Sequence, residues 1–87
     1  MSGGRELRFP CRWEFRLFVY GGAWDGVTSG VRELDAAESA GFTLTEGEKS
    51  PGGKFRTLRV ECAVPSLERA RELAAKMAAL PGVKFMV

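Results

Sequence analysis

Alternation of apolar and polar side chains predicts two long β-strands. From Arg12 to Tyr20 every second residue is apolar, so one face of the first strand would carry Trp13, Phe15, Leu17 and Val19. The stretch from Phe55 to Cys62 alternates in the same way and follows a Pro-Gly-Gly turn at 51–53. Its core face would carry Leu58, Val60 and Cys62. Each strand therefore has a second face, which is displayed.

Two further stretches repeat apolar residues every three or four positions, and this spacing predicts helices. The stripe of the first helix consists of Val27, Val31 and Leu34. Asp25 is its expected N-cap, and Gly41 lies just past its end. Ser66 is the expected N-cap of the second helix. The stripe of that helix consists of Leu67, Ala70, Leu73, Ala74, Met77 and Leu80.

Two shorter strands complete the pattern. The segment 42–46 would point Phe42 and Leu44 inward, and the segment 83–87 would place Val83, Phe85 and Val87 on one face. The resulting order, βαββαβ, predicts an α+β, ferredoxin-like fold: a four-stranded antiparallel sheet with both helices on one face. We expect residues 9–87 to form this single domain and residues 1–8 to be a flexible polar lead-in.

With both helices on one side, the other face of the sheet stays uncovered. The two long strands would be central, and their outward residues would lie together there: Arg16, Phe18, Tyr20, Phe55, Thr57 and Arg59. Lys84 and Met86 would lie toward one edge of this face. Exposed rings beside guanidinium groups are typical of interaction sites, so we expect a protein partner or self-association, for example as a homodimer. The alternative is a solvated face on which long basic side chains cover the rings.

Composition narrows the function further. The 87 residues include no His, Asn or Gln, which excludes Ser-His, Cys-His and histidine-metal chemistry within one chain. We therefore expect no enzymatic activity, no metal and no cofactor. Thirteen basic and eleven acidic residues are interspersed, unlike the clustered basic face of a nucleic-acid binder. The thiols of Cys11 and Cys62 fit a reduced compartment, and with no membrane-length apolar run we expect a cytoplasmic protein.

Three short motifs carry a resemblance to a known family. Residues 9–11 read Phe-Pro-Cys, residues 50–55 read Ser-Pro-Gly-Gly-Lys-Phe, and residues 80–87 read Leu-Pro-Gly-Val-Lys-Phe-Met-Val. With the order of elements, these motifs resemble the YbeD-like family, small bacterial proteins of unassigned function. Members look like the ACT-type regulatory domains in fold, and the resemblance implies a regulatory or ligand-sensing role. It carries over no catalytic residue.

Two alternatives to protein docking remain. ACT-like modules meet small effectors at the first strand-to-helix loop, so the resemblance implies a ligand loop containing Gly21, Gly22, Trp24 and Asp25. An ordinary tight connection would explain the same glycines. Single-stranded RNA binding is less favoured, because Thr57 stands where RNA-recognition motifs carry a second stacking ring.

Overall fold

The computed structural model describes residues 10–87, so the predicted lead-in at residues 1–8, and Phe9, lie outside the described residues. The elements are β1 (Cys11–Tyr20), α1 (Trp24–Glu38), β2 (Thr43–Lys49), β3 (Phe55–Val64), α2 (Leu67–Ala78) and β4 (Val83–Met86). The strands pair antiparallel in the order β2-β3-β1-β4. This arrangement confirms the predicted ferredoxin-like fold, with β1 and β3 at its centre.

The core lies between the sheet and the two helices. Its buried members are Phe15, Leu17, Val19, Val27, Val31, Leu58, Val60, Cys62, Val64, Ala70, Leu73 and Met77. The apolar alternation of β1 and β3 and the stripes of both helices predicted most of this set. Leu67 is a correction, because it begins α2 at the rim of the core and remains 37% exposed. Cys11 and Cys62 are both free thiols, and burial raises the pKa of Cys62.

The N-cap of α2 is the residue that the sequence predicted, whereas the N-cap of α1 is not. The Ser66 hydroxyl accepts a hydrogen bond of 3.1 Å from the Arg69 N–H, so it caps α2 as predicted. The predicted cap Asp25 lies inside the first turn of α1, and Ala23 occupies the N-cap position without a side-chain hydrogen bond. A short 3₁₀ turn at Gly21–Ala23 explains the difference, because it leads the backbone directly into the helix.

The connection from α1 to β2 is held by a side chain rather than by glycine alone. Ser39, with a φ of 52°, is the left-handed residue that ends α1, two positions before the predicted Gly41. The Asp35 Oδ1 accepts hydrogen bonds from the N–H groups of Gly41 at 2.7 Å and Phe42 at 3.2 Å. Phe42 directly precedes β2, which begins one residue later than predicted, and packs against the core.

The register of β4 differs from the simple alternation. Phe18 lies opposite Phe85 and Val19 opposite Val83, so Lys84 is an extra residue in a β-bulge. A bulge reverses the face of the residues beyond it. Phe85 is therefore 50% exposed on the open face. Met86 packs against the core, contrary to the prediction that Phe85 shares a face with Val83 and that Met86 lies on the open face.

An ion-pair cluster joins the two helices. The Glu38 carboxylate lies 2.8 Å from Nη1 of Arg69 and 2.7 Å from Nζ of Lys76. Arg69 also contacts Glu72, at 3.3 Å. The hydrogen bonds from Lys76 and then Arg69 lower the pKa of Glu38. The cluster therefore stabilises the folded chain only while Glu38 is ionised.

This linkage predicts a pH dependence of stability. Because the folded-state pKa of Glu38 lies below its ordinary value of 4.5, its contribution is complete above pH 4.5 and is lost as the pH falls through the folded-state pKa. We expect Glu38→Gln to lower the free energy of unfolding at pH 7 and to flatten its decline in acid. Urea unfolding between pH 7 and pH 3 measures both effects. Glu33→Gln is the matched control, since exposed Glu33 forms no ion pair among residues 10–87. An equal acid dependence in both variants would contradict the prediction.

Candidate functional site

The sheet face opposite the helices brings the six predicted residues of the open face together. Arg16 lies opposite Arg59, Phe18 opposite Thr57, and Tyr20 opposite Phe55. Each pair joins β1 to β3 in direct cross-strand register. Such pairs have Cβ atoms about 5 Å apart, so their side chains form one continuous surface.

Four rings form an aromatic patch at the end of this face near the β1–α1 loop: Phe18, Tyr20, Phe55 and Phe85. Phe18 and Phe85 are stacked, with ring centroids 4.5 Å apart and 19° between their planes. Tyr20 and Phe55 are tilted, with centroids 5.2 Å apart. Tyr20 is 46% exposed and Phe85 50%. The rings therefore contact each other but remain partly exposed to solvent.

The bulge in β4 adds a cation to the aromatic patch. The Nζ of Lys84 lies over the Phe55 ring, 4.5 Å from its centroid, in a cation–π contact. Lys84 was predicted on this face, whereas Phe85 was missed because the apolar alternation of the last strand contains no sign of a bulge. The patch therefore combines apolar area with positive charge.

The other half of the open face is charged. Arg16 and Arg59 are like charges in direct opposition, and Arg16 Nε is bound to Glu14 at 3.1 Å. Gly47 of β2 lies so close to Thr57 and Arg59 that a Cβ there would be 3.2 Å from the Thr57 Cβ. The Arg59 Nε is buried without a hydrogen-bond partner among residues 10–87. Glu14 offsets the charge of Arg16, so the positive charge of this half near the patch comes from Arg59.

A hollow of about 200 Å³ lies between the aromatic patch and the β2–β3 turn. It is lined by Phe18, Glu48, Lys49, Ser50, Phe55 and Thr57. Glu48 and Lys49 were missed, because the sequence pattern ended the second strand at Glu46. β2 instead continues to Lys49, with a register shift after Glu46 that the sequence does not reveal.

The predicted ligand loop is tied to the β2–β3 turn. The Gly21 N–H donates to the Lys54 carbonyl at 2.9 Å, and a Cβ at Gly21 would lie 2.5 Å from the Gly53 carbonyl oxygen. A Cβ at Gly22 would meet nothing within 4 Å. Close backbone packing thus accounts for the first glycine. Effector binding at this loop stays a prediction.

The two other members of the predicted ligand loop have different surroundings. The guanidinium carbon of Arg56 lies over the Trp24 ring, 4.0 Å from the ring centroid. Arg56 also forms an ion pair with Glu46, with 2.6 Å between Nη2 and Oε2. Asp25 is exposed in the first turn of α1. Trp24 therefore has a structural partner, whereas Asp25 is open to solvent.

Comparison with known families decides where the chain belongs. The profile of DUF493, described as a protein of unknown function, matches residues 5–87. The chain belongs to the DUF493 family. A comparison with curated proteins finds no significant match. Within residues 10–87, neither helix is long and apolar enough to cross a membrane.

Solved structures show the same fold. The solution structure of HP0495 from H. pylori is 23% identical, with a TM-score of 0.83, over 99% of this chain and 90% of that protein. A second HP0495 structure gives a TM-score of 0.66 at 23% identity, covering all of this chain and 96% of that protein. The C-terminal domain of MgtC from Mycobacterium tuberculosis gives 0.70 at 15% identity, over 94% of this chain and 88% of that domain. Likeness at these identities establishes the fold of this DUF493 chain.

Proposed function

We propose that this DUF493 protein is a non-enzymatic regulatory or interaction module of the YbeD-like kind that acts in the cytoplasm. It docks on a protein partner through the aromatic patch on the open face of its sheet. The observation that carries the proposal is the presence of two exposed rings, Tyr20 and Phe85, beside the Lys84 cation on a face that neither helix covers.

The physical case rests on apolar area and charge. Covering an aromatic side chain removes large apolar area from water, worth about 25 cal/mol per Å² before the costs of association. Aromatic residues are the common anchors of protein interfaces. Lys84 and Arg59 give the surrounding surface a positive charge, while Arg16 is paired with Glu14. A partner with an apolar contact flanked by carboxylates fits this surface.

The test is capture of host proteins with the full chain as bait. We expect the double variant Tyr20→Ala/Phe85→Ala to lose a partner that the unchanged protein retains. Both side chains are about half exposed, so the variant should keep its fold. Leu67→Ala is the matched control, because it removes a partly exposed apolar side chain from the helical side.

Circular dichroism and the melting temperature show whether each variant is folded. Equal recovery of every partner by the folded double variant and by the unchanged protein would contradict docking through the aromatic patch. If Lys84→Glu also fails to capture the partner that the double variant loses, the result would support a role for the positive charge of Lys84 in docking.

A further inference from the structure

Within residues 10–87, β4 pairs with only the C-terminal half of β1, and the other half of β1 has no strand on that side. The contact between these strands runs from Val19 to Arg16, where Arg16 exchanges two backbone hydrogen bonds of 3.0 Å with Val87. Among residues 10–87, no strand continues along this side of β1 beyond that point. We call the free side of Cys11–Phe15 the β1 edge.

The direction of the backbone groups at the β1 edge follows from the ladder. Arg16 and Tyr20 donate their N–H groups to residues on the β4 side. In an antiparallel ladder every second residue shares that direction, so the N–H and C=O groups of Arg12 and Glu14 also point to this side. An unpaired row of such groups is a template for another strand.

A groove of about 170 Å³ lies beside the β1 edge on the helical side. Its walls are mostly apolar, with one charged side chain, and consist of Trp13, Phe15, Ala70, Arg71, Ala74, Met86 and Val87. The short alanine side chains leave space above the position that a longer β4 would occupy. An added strand would therefore find hydrogen-bonding groups at the edge and apolar space for its inward side chains.

The geometry points to a second copy of this chain as the occupant of the β1 edge. When two β1 edges pair antiparallel about a twofold axis at Trp13, Arg12 of each copy lies opposite Glu14 of the other. Their outward N–H and C=O groups then bond to each other on both sides of the axis. A shift to the neighbouring symmetric registers would place Arg12 opposite Arg12, or Glu14 opposite Glu14. Charge complementarity therefore selects one register.

The helical side of this pairing is also complementary. The two Trp13 side chains meet at the axis, at a position without hydrogen bonds, where opposing side chains are closest. Cys11 of one copy lies opposite Phe15 of the other. The small thiol side chain of this Cys11 faces the groove of the other copy. The chain bends at Pro10, which has no N–H to donate, so the paired segment ends before it reaches Val87. The dimer carries both aromatic patches on the same side of a continuous sheet.

Sedimentation velocity of the full chain over a range of concentrations tests the pairing. We expect a monomer–dimer equilibrium at neutral pH and low salt. Arg12→Glu and Glu14→Arg each place like charges opposite each other, so each should raise the dimer dissociation constant on the order of tenfold. The double variant Arg12→Glu/Glu14→Arg restores opposite charges and should restore the dimer. Both side chains are exposed, but within the chain Arg12 contacts Glu61 at 3.7 Å and Glu14 contacts Arg16 at 3.1 Å, so the melting temperature of each variant is measured beside its dimer dissociation constant.

Four results would overturn the proposal. The first two are a monomer at every concentration and a dimer whose dissociation constant neither single charge reversal changes. The other two are a double variant that dimerises as weakly as the single variants, and slow amide exchange of Arg12 and Glu14 in the dilute monomer. The last result would mean that the chain covers its own edge. Phe85→Ala should leave the dimer intact, because the aromatic patch lies on the face rather than at the edge. Failure of patch docking and failure of edge pairing are therefore distinguishable.

Discussion

Gly21→Ala is expected to destabilise the protein by about 2–3 kcal/mol, because the added methyl group would overpack a contact with rigid backbone atoms. The added Cβ would lie 2.5 Å from the carbonyl oxygen of Gly53, so the β1–α1 loop and the β2–β3 turn would have to separate. Their separation would also strain the hydrogen bond from the Gly21 N–H to the Lys54 carbonyl. Urea denaturation measures the loss of stability.

Gly22→Ala is the matched control for this prediction. It adds the same methyl group one residue later, where no atom lies within 4 Å, so stability should change by less than about 0.5 kcal/mol. Equal stability of the two variants would contradict the role assigned to Gly21. Because Gly22→Ala should fold normally, it is also the suitable variant for testing the ligand loop. A metabolite that raises the melting temperature of the unchanged protein but not of Gly22→Ala would support an effector site there.

Leu17→Ala is expected to cost about 3 kcal/mol and to lower the melting temperature by roughly 15 °C. Leu17 is fully buried at the centre of the sheet, opposite Leu58 of β3 and Met86 of β4. Replacing its isobutyl side chain by a methyl group leaves a cavity that two strands and a helical layer can fill only by moving together. Thermal and urea unfolding should report the same loss.

Leu67→Ala removes the same atoms from a leucine that is 37% exposed at the start of α2. Little apolar area is lost and no enclosed cavity forms, so the cost should stay below about 1 kcal/mol. Comparable destabilisation of both variants would show that the core is not centred where β1 and β3 meet.

The aromatic patch and the β1 edge are separate surfaces with separate physical requirements. The patch offers rings and the Lys84 cation, so it suits side chains from a partner. The edge offers backbone groups, so it suits a strand, and the charges of Arg12 and Glu14 set the register. A dimer formed at the edge would present two patches to one partner and raise its avidity without any new contact.

Periodicity predicted the fold because burial of one face dominates the free energy of both helices and strands. Phe15 and Val60 alternate with polar residues, and the apolar stripe of α2 recurs at helical spacing. The open face followed from the same rule, since residues between core positions must point the other way. Arg16, Phe18 and Tyr20 were therefore predicted to share a face with Arg59, Thr57 and Phe55, while the register that sets them in opposite pairs comes from the structure.

By itself, the sequence determined the order of elements, the core side of the central strands and the rings of the displayed face, because these depend on local spacing. Tertiary structure alone decided the bulge at Lys84 and the exposure of Phe85. These features depend on how β4 meets β1 after Pro81 and Gly82. A register between distant strands is chosen by packing and backbone hydrogen bonds across the sheet, which a pattern along the chain does not contain.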